Sequence, residues 1–279
     1  MNFEQLRKEY HQELSKSILR IDSNGIPTNC DKHSDISVFL ARTIIDIIGK
    51  SDDVSRSSGQ TSGKVFETKT KDYLQKAFTL LLHLRPGKWL FEIGKRIEEF
   101  EQYSHLSLLS EALEKNNELR AALGDYLIHP DIIIGRKPIE DTEINCQKRI
   151  ISKKARIASF SPIRIENSTN PILHASISCK WTIRSDRSQN ARTEGLNLIR
   201  NRKGHTPHIV IITAEPYPQR IASLALGTGD IDCVYHFALH ELNDAAALLK
   251  NEAVIETLDL MVKGKRLRDI SDLPFDLVI

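Results

Sequence analysis

Two segments far apart in the chain carry residue types that can hydrolyse a phosphodiester bond. Asp131 follows Pro130 in a β-branched and apolar run, and Lys180 closes a second apolar run that starts near residue 173. A carboxylate at a strand end is a hard oxygen ligand suited to Mg²⁺, which neutralises a phosphate and generates hydroxide from water. A neighbouring lysine stabilises charge or orients the water. Taken alone, the pattern fits a turn proline and a lysine that extends into solvent at least as well.

The residue two positions before this lysine departs from the usual nuclease pattern. That pattern has Asp or Glu there, whereas this chain has Ser178, which is a poor metal ligand. Two acids elsewhere can compensate. Glu194 lies on the helix expected after the second strand, where its carboxylate can turn back towards the lysine, and Glu67 opens a long predicted helix and can supply another anion.

The block from Ser176 to Gly204 is strongly basic in a chain whose formal net charge is only +2. It has two anions, Asp186 and Glu194, against seven cations: Lys180, Arg184, Arg187, Arg192, Arg200, Arg202 and Lys203. Such a concentrated positive site on a nearly neutral protein indicates a specific contact with a polyanion.

Arg184, Asp186 and Arg187 form a compact group within this block. In the major groove of DNA, arginine pairs bidentately with guanine and aspartate accepts a hydrogen bond from cytosine N4. The group can therefore read G·C pairs, and a two-fold dimer would read them as a palindrome. The alternative is a solvated loop with internal ion pairs. Its position directly after the lysine favours recognition, because a site-specific nuclease must tie its reader rigidly to the scissile phosphate.

Composition limits the class of protein. The chain has 279 residues, of which 40% are hydrophobic and 27% charged, values typical of a soluble globular protein. Four widely spaced cysteines without a CxxC pair favour free thiols in a reducing compartment. The N-terminal segment is charged and has no apolar signal core, and the apolar runs are too short to span a bilayer. We therefore expect a cytoplasmic protein with no membrane partner.

The predicted elements place these residues on a common scaffold. Amphipathic periodicity predicts helices over about 2–20, 34–47, 65–83, 91–122, 217–226 and 240–262. β-branched composition predicts strands over about 125–134, 173–181, 209–213 and 231–237, with a Gly/Ser-rich loop over 51–64 and a polar excursion over 136–172. We expect an α/β fold with a central mixed sheet flanked by helices, formed by one domain over 1–279. Its helical part would cover about 1–122 and its sheet core about 123–279.

Other candidate sites are weaker. Cys233, His236 and His240 have a spacing that suggests zinc, but they lack an obvious fourth ligand and fit core and capping contacts better. Gly227 to Asp230 lacks the lysine and the spacing of a phosphate-binding loop and indicates a turn. The aromatic residues occur singly, so no stacking platform for single-stranded nucleic acid is predicted.

With these residues in view, the chain resembles the NgoMIV-type type II restriction endonucleases, a branch of the PD-(D/E)xK nucleases that recognises CCGG-containing sites. The resemblance covers nearly the whole chain and is weakest in the first 55 residues. The segments that carry it are GQTSG with Phe66-Glu67, Pro130-Asp131, LHASISCKWTIRSDR, QNAR, EGLNL, RNRKG, PHIV, TAEP, ALGTG, IDCVYHFAL, GKRL and DISDLP.

The resemblance implies a role for each matching residue. Asp131 and the backbone carbonyl of Cys179 would bind the metal, and Lys180 would be the catalytic lysine. The catalytic set implied in full is Glu67, Asp131, Ser178, Lys180 and Glu194. The CCGG core would be read in the major groove by Arg184, Asp186 and Arg187, and in the minor groove by Gln60.

The outer base pair of a six-base site is read in this family partly from the N-terminal region and partly by an arginine that aligns with Arg220. Asp31 matches an acidic contact residue, whereas His33 stands where a serine is expected. The resemblance thus implies GCCGGC as the site, cut with Mg²⁺ to leave 5′ overhangs. It also implies a homotetramer of two back-to-back dimers, each holding one DNA, and a cognate DNA methyltransferase in the same restriction-modification system.

Two rivals to this interpretation remain at the level of sequence. One is a related endonuclease with another outer-base specificity, and the other is a CCGG-binding protein without catalysis. The presence of all four charged catalytic residues argues against the second. A plain soluble α/β protein would show no preference for CCGG DNA.

Overall fold

A six-stranded mixed sheet, with strands between Trp89 and Asp269, forms the centre of the fold. The computed structural model describes residues 2–49, 59–118, 121, 128–152, 156–183, 185–227 and 229–279. The strands are β1 (Trp89–Ile93), β2 (Ile132–Arg136), β3 (Ile172–Lys180), β4 (His208–Thr213), β5 (Cys233–His236) and β6 (Leu267–Asp269), and they lie side by side in that order. Strands β1 to β3 are antiparallel, and β3 to β6 are parallel. The expected mixed sheet flanked by helices is confirmed.

Helices lie before, between and after these strands. They are α1 (Phe3–Ser17), α2 (Asp35–Ile48), α3 (Gly59–Leu80), α4 (Ser107–Lys115), α5 (Asp141–Ile144), α6 (Ser185–Asn201), α7 (Pro218–Ala225), α8 (Leu239–Leu249), α9 (Glu252–Lys263) and α10 (Leu273–Asp276). Two 3₁₀ segments cover Ile97–Glu99 and Glu101–Leu106. In the described ranges, no helix has the length and apolar content needed to cross a bilayer.

The central strands are buried on both faces, which explains their continuous apolar runs. Ile132 to Ile134 and most of β4 are almost fully excluded from solvent. Strands that are covered on both faces have this composition rather than an alternating one. The buried strands therefore form a rigid base on which residues at the strand ends can be held in place.

Several predicted elements differ from the structure. Strand β1 takes up residues 91–93 of the helix predicted over 91–122, and the described remainder of that range holds 3₁₀ turns and α4. The loop predicted over 51–64 overlaps α3, which begins at Gly59, and 51–58 lie outside the described residues. Within the strand predicted over 125–134, β2 begins at Ile132, and 125–127 lie outside the described residues.

The long C-terminal helix predicted over 240–262 is two helices. Lys250 adopts a left-handed backbone conformation with φ of 55°, which ends α8, and Asn251 caps α9 by accepting a hydrogen bond from the Val254 N–H. The apolar periodicity continues through residues 249–252, so it predicted one helix instead of two. The short parallel strand β6, which no sequence pattern indicated, follows α9.

Helix α6 packs directly against the loop that precedes β5. A Cβ atom at Gly195 would lie 2.5 Å from the backbone carbonyl oxygen of Asp230, so only glycine permits this approach. Nearby, Arg192 forms an ion pair with the Asp230 carboxylate at 2.7 Å. Because Glu194 precedes this glycine, the close contact also sets the height of Glu194 above the sheet.

We predict that Gly195→Ala lowers the free energy of unfolding by about 1–3 kcal/mol, because the added methyl group must push α6 away from backbone that cannot yield. Gly63→Ala is the matched control, since a Cβ there meets nothing within 4 Å. In helix α3 that change should raise stability by about 0.5–1 kcal/mol. Urea unfolding monitored by circular dichroism measures both, and equal effects of the two changes would contradict the packing argument.

Candidate active site

Asp131 and Lys180 meet where β2 begins and β3 ends. Ile132 pairs with Ile177 across the antiparallel ladder, so Asp131 lies opposite Ser178, near the end of β3. Its Oδ2 accepts a hydrogen bond from the Cys179 backbone N–H at 2.7 Å and lies 3.5 Å from the Lys180 Nζ. The strand register thus brings together two residues that are far apart in sequence.

The end of β3 is fixed by its parallel neighbour. The Lys180 carbonyl accepts hydrogen bonds from Thr213 Oγ1 at 2.9 Å and from the Ala214 N–H at 3.0 Å. Its side chain remains partly exposed, with 21% of its area accessible, so the ammonium group can reach a ligand above the sheet edge. The Lys180 backbone is therefore fixed by these hydrogen bonds, while its ammonium group remains accessible to a ligand.

Ser178 and Cys179 lie on opposite faces of β3, as strand alternation requires. Ser178 is half-buried, and its Oγ lies 3.5 Å from Asp131 Oδ2, which is a long contact. The Cys179 side chain is buried in the core, and burial raises the pKa of its thiol. A buried, protonated thiol is a poor ligand, so Cys179 offers its backbone to this site and not its sulfur.

Glu67 reaches the site from α3, which packs on the end of β3. Phe66 is fully buried and lies edge-on to Trp181 with ring centroids 5.3 Å apart. Burial raises the pKa of Glu67, the negative charge of Asp131 raises it further, and Lys180 opposes the shift. The aromatic contact therefore fixes the height of α3 and leaves the neighbouring acid close enough to interact with the strand-end charges.

Glu194, on α6, is the third acid that interacts with these strand-end charges. Burial raises the pKa of its carboxyl group, Lys180 acts in the opposite direction, and Asp131 raises it again. The structure therefore brings Glu194 within electrostatic reach of both strand-end residues, although it lies fourteen positions beyond the lysine. This helix residue, and not Ser178, supplies the additional carboxylate.

Charge at this cluster is unbalanced. Three carboxylates, those of Glu67, Asp131 and Glu194, surround one ammonium group, that of Lys180. No group of three or more Asp, Glu, His or Cys side chains in the described ranges is tight enough to hold a metal by itself. Mg²⁺ needs fewer protein ligands, because it commonly binds one or two carboxylates and completes its shell with water and substrate phosphate. The donor set present fits that cation.

The proposed readers of the CCGG core lie largely outside the described side chains. Arg184 is not among the described residues. Asp186 and Arg187 were expected on a connection, but their backbone belongs to the first turn of α6. Gln60 lies in the first turn of α3 instead of a loop. The side chains of these three are outside the described set.

The two residues expected at the outer base pair are brought together across 189 positions of sequence. Arg220 Nη2 donates a hydrogen bond to Asp31 Oδ2, and Arg220 Nη1 donates to the Ile183 carbonyl at 3.4 Å. The pKa of Asp31 is lowered, first by the hydrogen bond that its carboxylate accepts from the His33 N–H and then by the charge of Arg220. An arginine and an aspartate are thus adjacent and partly exposed.

Sequence reasoning missed Glu215, a fully buried acid beside this pair. Its Oε2 accepts a hydrogen bond from the Ile183 N–H at 2.9 Å and lies 3.9 Å from Arg220 Nη1. The available signal was its position immediately after β4, at the same sheet edge as Lys180, because an acid that follows a buried parallel strand seldom lacks a partner.

Comparison with known proteins gives two matches that extend over nearly the whole chain. Residues 10–279 match the family described as NgoMIV restriction enzyme. The chain is 49% identical over 284 residues to the type II restriction enzyme NgoMIV of Neisseria gonorrhoeae, covering 99% of each protein. It is also similar to the solved structure of the type IIF restriction endonuclease Bse634I with cognate DNA, at 14% identity, 98% coverage of this chain, 92% of that chain and a TM-score of 0.33.

We predict opposite pKa shifts on removing the two strand-end charges. Asp131→Asn should lower the pKa of Glu67 and Glu194, because a nearby negative charge is lost, whereas Lys180→Met should raise both. NMR titration of ¹³C-labelled glutamate carboxyl groups measures each shift. Glu241, whose pKa is shifted by burial and by its pair with Arg7, is the internal reference. Unmoved values for Glu67 and Glu194 would contradict the cluster.

Proposed function

The chain belongs to the NgoMIV restriction enzyme family and is a type II site-specific deoxyribonuclease, and on this premise we propose its metal, its site and its product. It hydrolyses double-stranded DNA at GCCGGC with Mg²⁺ and leaves 5′ overhangs. The observation that carries the metal assignment is the convergence of three carboxylates and one lysine at the end of β3. Such an excess of negative charge beside a phosphate-binding site is balanced by a divalent cation.

Asp131 and the carbonyl of Cys179 are the proposed metal ligands, with Glu67 and Glu194 as supporting acids. Asp131 Oδ2 is occupied by the Cys179 N–H, and within the described part of the chain no donor contacts Oδ1. When bound, Mg²⁺ lowers the pKa of water and neutralises the scissile phosphate. Lys180 orients the attacking water or stabilises the negative charge that develops on the phosphate oxygens.

The proposed specificity uses arginine and aspartate together at both the inner and the outer base pairs. Arginine bonds guanine O6 and N7, and aspartate accepts from cytosine N4, so an adjacent pair selects G·C. Arg184, Asp186 and Arg187 supply this set for the inner CCGG in the major groove, with Gln60 in the minor groove. The contact between Arg220 and Asp31 supports the same reading for the outer G·C pair.

The proposed assembly is a homotetramer of two back-to-back dimers, each holding one DNA. It is supported by large apolar side chains exposed in the excursion between β2 and β3, where Phe160 is 98% exposed. Others in the same excursion are Ile150, Ile157 and Ile165. A second copy of the chain is the occupant we assign to this surface. The enzyme is proposed to act in the cytoplasm beside a methyltransferase that protects host sites.

The direct test is digestion of an unmethylated plasmid with two GCCGGC sites, with Mg²⁺ or with EDTA, followed by sequencing of the ends. We expect Mg²⁺-dependent cuts confined to GCCGGC with 5′ overhangs. Cuts at other CCGG-containing sites would retain the chemistry and overturn the outer specificity. Tight CCGG binding without cutting would indicate a binding protein.

We predict that Asp131→Ala lowers the single-turnover cleavage rate by at least about 10³-fold, because several kcal/mol of metal-dependent stabilisation are lost. Binding to GCCGGC duplex should remain sequence-specific, since the proposed readers are intact. Quenched-flow cleavage and fluorescence anisotropy measure the two quantities. The control is Glu143→Ala, which removes an exposed carboxylate that pairs with Lys88 and not with Lys180. Normal cleavage by the Asp131 variant would refute the metal assignment.

We predict that Phe160→Asp shifts the chain from tetramer towards dimer, because a charge replaces the most exposed aromatic ring of the excursion. Sedimentation velocity measures the mass of each species. Leu108→Asp, at a residue 76% exposed on α4, is the matched control and should leave the mass unchanged. A wild-type chain that sediments as a dimer would exclude the tetramer, and an unshifted variant would exclude this surface.

A further inference from the structure

Glu215 is a buried acid that belongs neither to the catalytic cluster nor to the proposed readers. It follows β4 at the sheet edge where β3 also ends, and its side chain has no solvent exposure. Its own N–H donates to Thr213 Oγ1 at 3.1 Å, and the same hydroxyl donates to the Lys180 carbonyl. Glu215 is thus connected to the catalytic strand through one side chain.

Its carboxylate contacts three further segments. Oε2 accepts a hydrogen bond from the Ile183 N–H at 2.9 Å, and Oε1 accepts one from the Tyr217 N–H at 3.2 Å. Oε2 also lies 3.9 Å from Arg220 Nη1. Ile183 precedes the proposed inner readers by one residue, and Arg220 is a proposed outer reader. One carboxylate therefore touches the backbone leading to the first reader and the side chain of the second.

We propose that Glu215 is a positioning residue for specificity, which holds Arg220 and the Ile183 backbone in one fixed relation so that inner and outer base pairs are read together. This inference rests on the proposed DNA specificity. Arg220 lies between two acids, Asp31 at the surface and Glu215 beneath. The deep contact restrains the guanidinium plane from below, and bidentate recognition of guanine requires such a restraint.

The groups around the carboxylate show which one changes charge near neutral pH. Burial raises the pKa of Glu215 to about 7, although the two backbone N–H groups and Arg220 act against this. Burial raises the pKa of Cys30 to about 11 and lowers that of His236 to about 4, so both are neutral there. Asp31, with its lowered pKa, remains charged.

The sign of the pH effect follows from this arrangement. As pH falls through about 7, Glu215 takes up a proton, and Arg220 loses one of its two anionic partners. The positioning role therefore weakens at lower pH and is fully present at higher pH. His33 is the other titratable side chain near this pair, since it interacts electrostatically with Asp31. The variant His33→Asn therefore serves to separate any contribution of His33 to the pH dependence from that of Glu215.

The experiment uses the full-length protein and a duplex library in which only the two outer base pairs vary around CCGG. The measured quantity is the ratio of the single-turnover cleavage rate at GCCGGC to the mean rate at the other library members, from pH 6 to pH 9. Competition binding to the same library in EDTA gives a second ratio that does not depend on chemistry. Wild-type discrimination should fall as pH decreases through about 7.

Glu215→Gln keeps the size of the side chain and removes its charge. We expect the cleavage and binding ratios at pH 8 to fall about tenfold, which is part of what one bidentate guanine contact contributes. The rate at GCCGGC itself should fall by a smaller factor, and the pH dependence of the ratios should disappear. Glu215→Asp keeps the charge on a shorter side chain, so both ratios should fall by a smaller factor than in the Gln variant and should still decrease as pH falls.

Two controls separate positioning from general loss of structure. Asp269→Asn alters another buried acid, which pairs with Arg7 at 2.7 Å and forms no ion pair with Arg220, and it should leave both ratios unchanged. His33→Asn should retain the pH dependence if Glu215 is its source. Thermal unfolding of each variant checks folding, and the Asp variant carries the test if the Gln variant does not fold.

The outcomes distinguish the inference from the function on which it rests. A wild-type chain without preference for CCGG DNA would overturn both. A wild-type chain that discriminates, with a folded Glu215→Gln variant that discriminates equally well, would overturn the inference alone. Loss of the pH dependence in His33→Asn would also overturn it, because His33 would then be the titrating group.

Discussion

The hydrogen bond from the Cys179 N–H to Asp131 Oδ2 is the interaction on which the site depends. It joins the start of one strand to the end of its antiparallel neighbour, where the ladder has already finished. A slip of one residue in that register would turn Lys180 into the core and bring Cys179 to the surface. Such a slip would bury the ammonium group of Lys180 and expose the apolar side chain of Cys179, so the burial pattern at the end of β3 sets the geometry of the charged residues.

Helices α3 and α6 each contribute one acidic side chain near this bond, Glu67 and Glu194. Helix α3 is held by the contact of Phe66 with Trp181, and α6 by the close approach of Gly195 to the backbone of Asp230. Each anchor is adjacent in sequence to the acid that it positions. Burial raises the pKa of Glu67 and of Glu194. A cation that binds these carboxylates therefore competes with protons for them.

The sheet and the meeting of Asp131 with Lys180 could be predicted because strands buried on both faces have distinctive continuous apolar runs, and each of these residues lies at the end of one. Strand β1 could not, because the apolar sequence of Trp89–Ile93 fits a helix or a strand and only its pairing with β2 decides. The break at Lys250 depends on one backbone angle that side-chain periodicity does not record. Glu215 escaped notice because its importance lies in contacts with Ile183 and Arg220, which only the folded chain brings together.

The separation of the two proposed readers in the chain has an evolutionary consequence. The inner reader follows the catalytic lysine after only a few residues, so a mutation there disturbs recognition and chemistry at once, and the two are inherited as a unit. The outer pair consists of two residues 189 positions apart whose side chains meet. Because Glu215 touches both Arg220 and the Ile183 backbone, a mutation that moves the outer pair also disturbs the support of the inner reader, so a change of the proposed target at its outer positions requires compensation at this buried acid.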